Sequence, residues 1–315
     1  MFAGLASSIR GARPWAIAVL ASVGLLAASD ARAQWDEGPP ARALTGVLKR
    51  IKETGGVRLG YREGAVPFSY TGRDGKPYGY SIDLCQAIVQ DIAEAVGVAS
   101  LRVEYRRVTV IDRIDQVVDG RIDFECGATT NTSERRARVA FSPLIFVAGT
   151  RLLVKRGGAI RSERDLPGRR VVVARGTTNE AAMRNLAARQ GRAFDLLVAD
   201  DFAQAFENVA TGAADALAAD DILIAGFLAD KDTRGTYALV GELLSYEPYG
   251  ILYARGDAPL AEAVAAAFRR LAATREIRWI YDKWFLRPLP SGVPLGLPMS
   301  RQLERSFEVL GLPVQ

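Results

Sequence analysis

The segment with the densest chemistry is Phe124-Glu-Cys-Gly-Ala-Thr-Thr-Asn-Thr-Ser-Glu-Arg135. An apolar β-like run ending at Gly127 passes through a polar turn into a helix that Ser133 would cap, with Arg135 in its first turn. Backbone N–H groups, hydroxyls and a guanidinium then converge on one point. That arrangement suits an anion, because a helix N-terminus and a forked arginine both stabilise negative charge. The same residues equally suit an ordinary capped surface helix with its arginines in water. Gly176-Thr177-Thr178-Asn179 makes a second strand-to-helix turn with hydroxyls and N–H groups at a helix start. Asp220-Asp221 stands where another strand gives way to a helix. There an aspartate caps the helix or holds a cation, and the adjacent pair can divide the two tasks. Arg62 ends the first strand and Arg113 opens the helix after the second. A lone arginine is ordinarily solvated, but one at a helix start opposes the dipole, which makes Arg113 stand out.

The chain contains no histidine and two cysteines. Ser-His-Asp and Cys-His catalysis are therefore excluded, together with histidine-based metal sites, and no metal or cofactor is expected. Arg10 and Arg13 precede an apolar run from Trp15 to Ala28, and Ala31-Arg32-Ala33 has the small residues a signal peptidase reads. We expect residues 1–33 to be a cleaved signal peptide. The run is shorter than the roughly 18–20 residues of a membrane anchor, and no cysteine follows the cut to carry a lipid. An exported, periplasmic monomer is the expectation. With 41 basic and 36 acidic residues scattered along the chain, the charge is too mild and too dispersed for nucleic acid. Cys85 shares a helical face with Ile82, Ile88 and Ile92, and Cys126 lies in an apolar strand. A disulfide and two separately buried thiols both fit, since the deciding distance is not in the sequence.

The elements that must position these residues alternate. Val57–Tyr61 reads as a strand, Ser81–Val96 as an amphipathic helix, Leu101–Tyr105 as a strand, Arg113–Val118 as a helix and Ile122–Cys126 as a strand. A second series follows Pro167-Gly168: strands Val171–Ala174, Leu196–Ala199 and Asp215–Ala219, feeding helices from Thr177, Asp201 and Asp220. The extended runs Leu144–Val154 and Tyr249–Tyr253 flank it. One long helix, Pro259–Trp284, is expected to return to the first series. The fold class is thus α/β, with two open lobes: 35–146 plus 250–315 form the first, with a proline-rich tail from residue 286, and 147–249 form the inserted second. Two crossing segments make a hinge. In open α/β sheets ligands bind off the carboxyl ends of the strands, where all the residues named above fall.

Arg62-Glu63 with Val66-Pro-Phe-Ser-Tyr70, Gly79-Tyr80-Ser81, Asp123-Phe-Glu-Cys-Gly with Thr129-Thr-Asn and Glu134-Arg135 resemble the glutamate/aspartate-binding proteins of ABC transporters. So do Phe146-Val147 with Gly149-Thr-Arg-Leu-Leu153, Gly176-Thr-Thr178 and Tyr281-Asp-Lys-Trp-Phe285. These belong to the bacterial extracellular solute-binding proteins of family 3. The resemblance implies a type II periplasmic binding protein fold, two α/β lobes on a two-strand hinge with the ligand between them, and a transient inner-membrane permease as partner. It assigns Arg135 to the ligand's α-carboxylate, with the backbone N–H of Thr130 and with Thr177 and Thr178. Asp220 and the carbonyl of Ala128 would hold the α-ammonium, and Arg62 and Arg113 the side-chain carboxylate.

Two positions depart from the family pattern. A hydroxyl residue three positions before the second arginine is here Val110, and a histidine of the second lobe is here Phe202, so part of the pocket wall becomes apolar. An exported dehydratase of the same fold is the competing enzymatic reading. It lacks a proton shuttle, because no histidine exists and Asp220 is the one convergent acid. A third reading is a binder that presents its ligand to a chemoreceptor.

Overall fold

The computed structural model describes residues 44–189, 191 and 193–314. The proposed signal peptide, 1–33, lies outside the described residues. Among these, no helix is long and apolar enough to cross a membrane.

Two five-stranded sheets dominate. The first runs in the order Arg102–Arg107, Gly56–Tyr61, Phe124–Glu125, Leu252–Ala254, Val139–Phe141. Its first three strands are parallel, Leu252–Ala254 runs against them, and Val139–Phe141 pairs antiparallel with Leu252–Ala254. The second repeats the plan: Asp195–Ala199, Arg170–Ala174 and Ala216–Asp220 are parallel, Thr150–Lys155 runs against them, and Tyr237–Val240 pairs antiparallel with Thr150–Lys155 and so shares the direction of the first three. The second strand in each order, Gly56–Tyr61 and Arg170–Ala174, starts on a similar device. Asp123 accepts from the Arg58 backbone N–H at 2.7 Å and from its guanidinium at 2.8 Å. Asp215 does the same for Arg170 at 2.8 and 2.9 Å. These pairs fasten the amino ends of the strands and leave the carboxyl ends to face each other.

The sheets are joined by Phe146–Ala148 and Glu247–Tyr249, which pair antiparallel. Their aromatic side chains root the crossing in the core beneath the first sheet. Phe146 stacks on Phe285 at 5.0 Å between centroids, and Phe68 packs edge-on against Phe146 and Tyr249 at 5.2 Å. Aromatic pairs in such arrangements contribute about 0.5–1.5 kcal/mol each beyond their burial. Cys85 and Cys126, both fully buried, are joined by a disulfide, which ties the helix Tyr80–Ala95 to the end of the strand Phe124–Glu125. The tail ends in the helix Arg301–Val309, whose Leu303 and Phe307 enter the same core.

Two expectations need correction. The single helix Pro259–Trp284 is two helices, Ala258–Ala273 and Glu276–Phe285. The break is at Arg275, which takes a left-handed φ of 61° without being glycine. That costs roughly 1–2 kcal/mol, and tertiary contacts offset it: Arg270 at the end of the first helix pairs with Asp91 at 2.6 Å and with Glu276 at 2.5 Å. Ser133 does not cap the helix carrying Arg135. Thr132 does, its hydroxyl accepting the Arg135 N–H at 3.2 Å, and the helix is only Ser133–Arg136.

Candidate functional site

The carboxyl ends of the two sheets enclose a cleft. Arg62, Val110, Arg113, Ala128, Thr130 and Arg135 line it from one side, and Thr177, Thr178, Phe202 and Asp220 from the other, with Asn179 beside them. Every residue singled out from the sequence for ligand binding or the pocket wall therefore faces one cavity. The walls approach closely: Thr130 Oγ1 lies 3.4 Å from Thr178 Oγ1. Beside the cleft, Gly226 meets the Val66 carbonyl so tightly that a Cβ there would fall 2.1 Å from the oxygen. Only glycine allows that approach.

Arg113, in the short helix Arg113–Val118, is 3 % exposed, and its Nε and Nη1 have no hydrogen-bond partner. Burial pushes its guanidinium down to about 9, and the charges of Arg62 and Arg135 push in the same direction. Burial also lowers Arg62 and Arg135, with nearby acids working against it. A buried donor without a partner is uncommon enough to need a reason. Arg135 is better held, since its Nη1 donates to the Thr130 carbonyl at 3.0 Å. The Ala128 carbonyl accepts no backbone hydrogen bond among the described residues.

Asp220 occupies the capping position of the helix Asp221–Asp230 but makes no capping bond. Its Oδ1 accepts from Asn179 Nδ2 at 2.7 Å and its Oδ2 from the Tyr249 hydroxyl. Burial raises this carboxyl to about 6, as does the charge of Glu247, while the two hydrogen bonds oppose the rise. The neighbouring Asp221 takes the structural task, accepting from the N–H groups of Gly149 and Ile222 at 3.2 and 2.7 Å. Thr178 donates to Glu247 at 2.6 Å. The Thr177 hydroxyl is engaged locally, donating to the Ala174 carbonyl at 2.7 Å and accepting from the Glu180 N–H at 3.1 Å.

Sequence reasoning missed Tyr249, Glu247 and Glu125 as members of the site. Tyr249 and Glu247 lie in a crossing strand, far in sequence from the loops they serve. The signal for Glu125 was an acid inside an otherwise apolar strand. As a whole the site sets three arginines, Arg62, Arg113 and Arg135, against three buried acids: Asp220 and Glu247, each with hydrogen-bond donors of its own, and Glu125, which has none.

Residues 57–287 match the family model described as bacterial extracellular solute-binding proteins, family 3. The chain is 39% identical over 264 residues to an L-glutamate/L-aspartate-binding protein of Pseudomonas aeruginosa, covering 83% of this chain and 87% of that one. It is 35% identical over 285 residues to a glutamate/aspartate import solute-binding protein of Escherichia coli, covering 90% and 93%. Among solved structures it resembles an ancestral arginine-binding protein bound to glutamine, with TM-score 0.65 and 31% identity over 73% of this chain and 98% of that one. The two α/β lobes on paired crossing strands are the type II periplasmic binding protein fold. By its sequence match, its fold and the cleft between its sheets, the chain belongs to the bacterial extracellular solute-binding proteins of family 3.

Proposed function

We propose that this protein captures an amino acid outside the cytoplasm, glutamate or aspartate in preference to others, and delivers it to the permease of an ABC transporter. The observation that carries the reading is the orphaned Arg113 guanidinium beside Arg62, in a cleft whose opposite wall holds Asp220 between Asn179 and Tyr249. The α-carboxylate meets Arg135, Thr130 and Thr178, with Thr177 contributing from its turn. The α-ammonium meets Asp220 and the Ala128 carbonyl. The side-chain carboxylate fills the valences left open on Arg113 and shares Arg62, while Val110 and Phe202 wall the ligand's methylene groups. Of the described residues, those within 44–146 and 250–314 form one lobe and those within 147–249 the other; residues 35–43 of the expected first lobe lie outside the described residues. Closure on the crossing strands buries the ligand from both sides. Export with removal of residues 1–33 puts the monomer where its substrate and permease are. Binding without catalysis is the reading in keeping with the binding proteins the chain resembles, and with Asp220 assigned here to a cation. Calorimetric titration against the twenty amino acids tests the reading. Saturable heat with glutamate or aspartate and little with the basic amino acids supports it; tight binding of arginine or lysine in their place would overturn it.

Asp220 gives the site a pH dependence of definite sign. To hold an ammonium it must be ionised, and the bound cation then lowers its pKa below the value of about 6 it has in the free protein. The Asp220 contribution to affinity is therefore complete above that value and declines below it, approaching tenfold per pH unit. The ligand's own side-chain carboxyl, near 4, stays ionised over most of this window. Titrations between pH about 5 and 7 should show the decline, and Asp220→Asn should lose both the step and most of the affinity. Near-native affinity and an unchanged pH profile in Asp220→Asn would remove Asp220 from the ammonium site.

A further inference from the structure

Three arginines face this cleft, yet the protein supplies an acid of its own among them. Glu125 is the last residue of its strand, paired with Gly60 on one side and Leu252 on the other, and is wholly buried. Its carboxylate folds over Gly127: the Cβ that glycine lacks would fall 2.1 Å from Glu125 Oε1 and 3.3 Å from Arg62 Cδ. A side chain at 127 would close that space. Neither carboxylate oxygen has a hydrogen-bond partner, and no ion pair is formed, although Arg113, Arg62 and Arg135 all act on it electrostatically. The Thr129 hydroxyl lies beside it without hydrogen-bond geometry. The strand neighbours Gly60 and Leu252 bring no charge.

An unpaired carboxylate in such a place has a poor structural rationale, because burying a charge is offset only by close pairing and hydrogen bonds. It does have an electrostatic one. Three desolvated guanidiniums repel one another. Of the buried acids near them, Asp220 is engaged by Asn179 and Tyr249, and Glu247 by Thr178 and Ser245. That leaves Glu125 as the unengaged one to balance them before any ligand arrives. A ligand with two carboxylates then brings its own negative charge to the same arginines, and Glu125 becomes the surplus anion in a dry site.

We infer that Glu125 is the internal counter-ion of Arg62, Arg113 and Arg135, that an acidic ligand supplants it, and that Glu125 takes up one proton from solvent as the ligand binds. The chemistry is a single protonation: bulk water supplies the proton, one O–H bond forms on Glu125, and no other bond changes. Burial raises this carboxyl above the usual glutamate range, and the arginines that hold it down are the groups the ligand takes over. Glu125 thereby restrains acidic ligands, and the restraint grows as pH rises. The inference rests on the acidic-ligand reading proposed above.

Calorimetric titration in two buffers of different ionisation heat counts the protons exchanged on binding. At pH about 8 Asp220 is ionised before and after binding, since its carboxyl titrates near 6, so it contributes almost nothing. The wild-type protein should take up a large fraction of one proton with glutamate and little with glutamine. Glu125→Gln should take up far less, only the small fraction that Arg113 gains when a carboxylate meets it. It should bind glutamate at least about tenfold tighter at that pH, the worth of one pKa unit, and change little toward glutamine. Buffer-independent heat for glutamate in the wild type would overturn the inference even if the variant failed to fold. So would equal proton uptake by the variant, or weaker binding of both ligands by it. Absence of any heat with glutamate and aspartate would be a different result, sinking the acidic-ligand reading itself.

Discussion

Arg135→Ala should abolish measurable binding of every amino acid, acidic or not. The α-carboxylate is common to all of them, and Arg135 is the guanidinium placed at the turn that offers it further donors. Its side chain is fixed beforehand by the bond to the Thr130 carbonyl, and its backbone N–H is capped by Thr132. Little ordering remains to be done when ligand arrives, so the interaction is realised nearly in full. Leaving a desolvated carboxylate without its forked partner costs roughly 3–5 kcal/mol, some two to four orders of magnitude in affinity. Calorimetry on the variant, with its fold checked by circular dichroism, measures this. Near-native affinity would return Arg135 to the alternative reading, a capped surface helix with arginines facing water.

The second large effect concerns the choice among ligands. Arg113 has two nitrogens with no partner inside the protein, and Arg62 lies on the same wall. A neutral amide in place of the side-chain carboxylate leaves both guanidiniums dehydrated and poorly matched. That penalty is on the order of 2–4 kcal/mol, or ~30- to 1000-fold, so glutamate should outcompete glutamine, and aspartate asparagine, by such a factor. The double replacement of Arg62 and Arg113 by Met should narrow the gap sharply while α-carboxylate binding persists through Arg135. If the amides compete as well as the acids in the unaltered protein, the two arginines serve Glu125 and not the ligand. The apolar positions Val110 and Phe202 then set the specificity.

Much of this site was legible because ligand sites in open α/β sheets follow local rules. A strand that ends, a glycine or polar turn and a helix start are short-range features, and Arg62, Arg135, Thr177, Thr178 and Asp220 were all found at such junctions. What was not legible depends on distance through space. Asp220 is oriented by Asn179, 41 residues before it, and Tyr249, 29 residues after, and no local pattern pairs them. Sequence left open whether Asp220 caps its helix; the division of labour with Asp221 appears only once both sets of bonds are seen. The disulfide between Cys85 and Cys126 required a distance, and the break at Arg275 has neither glycine nor proline to announce it. There the ion pairs of Arg270 override local propensity. Thr132 and Ser133 are both competent caps, and one residue of register decided between them.

A crystal structure of the protein grown with glutamate tests the central claim most directly. The account predicts one glutamate between the lobes, its α-carboxylate on Arg135, its ammonium on Asp220 within hydrogen-bond distance, and its side-chain carboxylate against Arg113 and Arg62. A glutamate with its side chain turned away from both arginines, or bound anywhere outside this cleft, would contradict it.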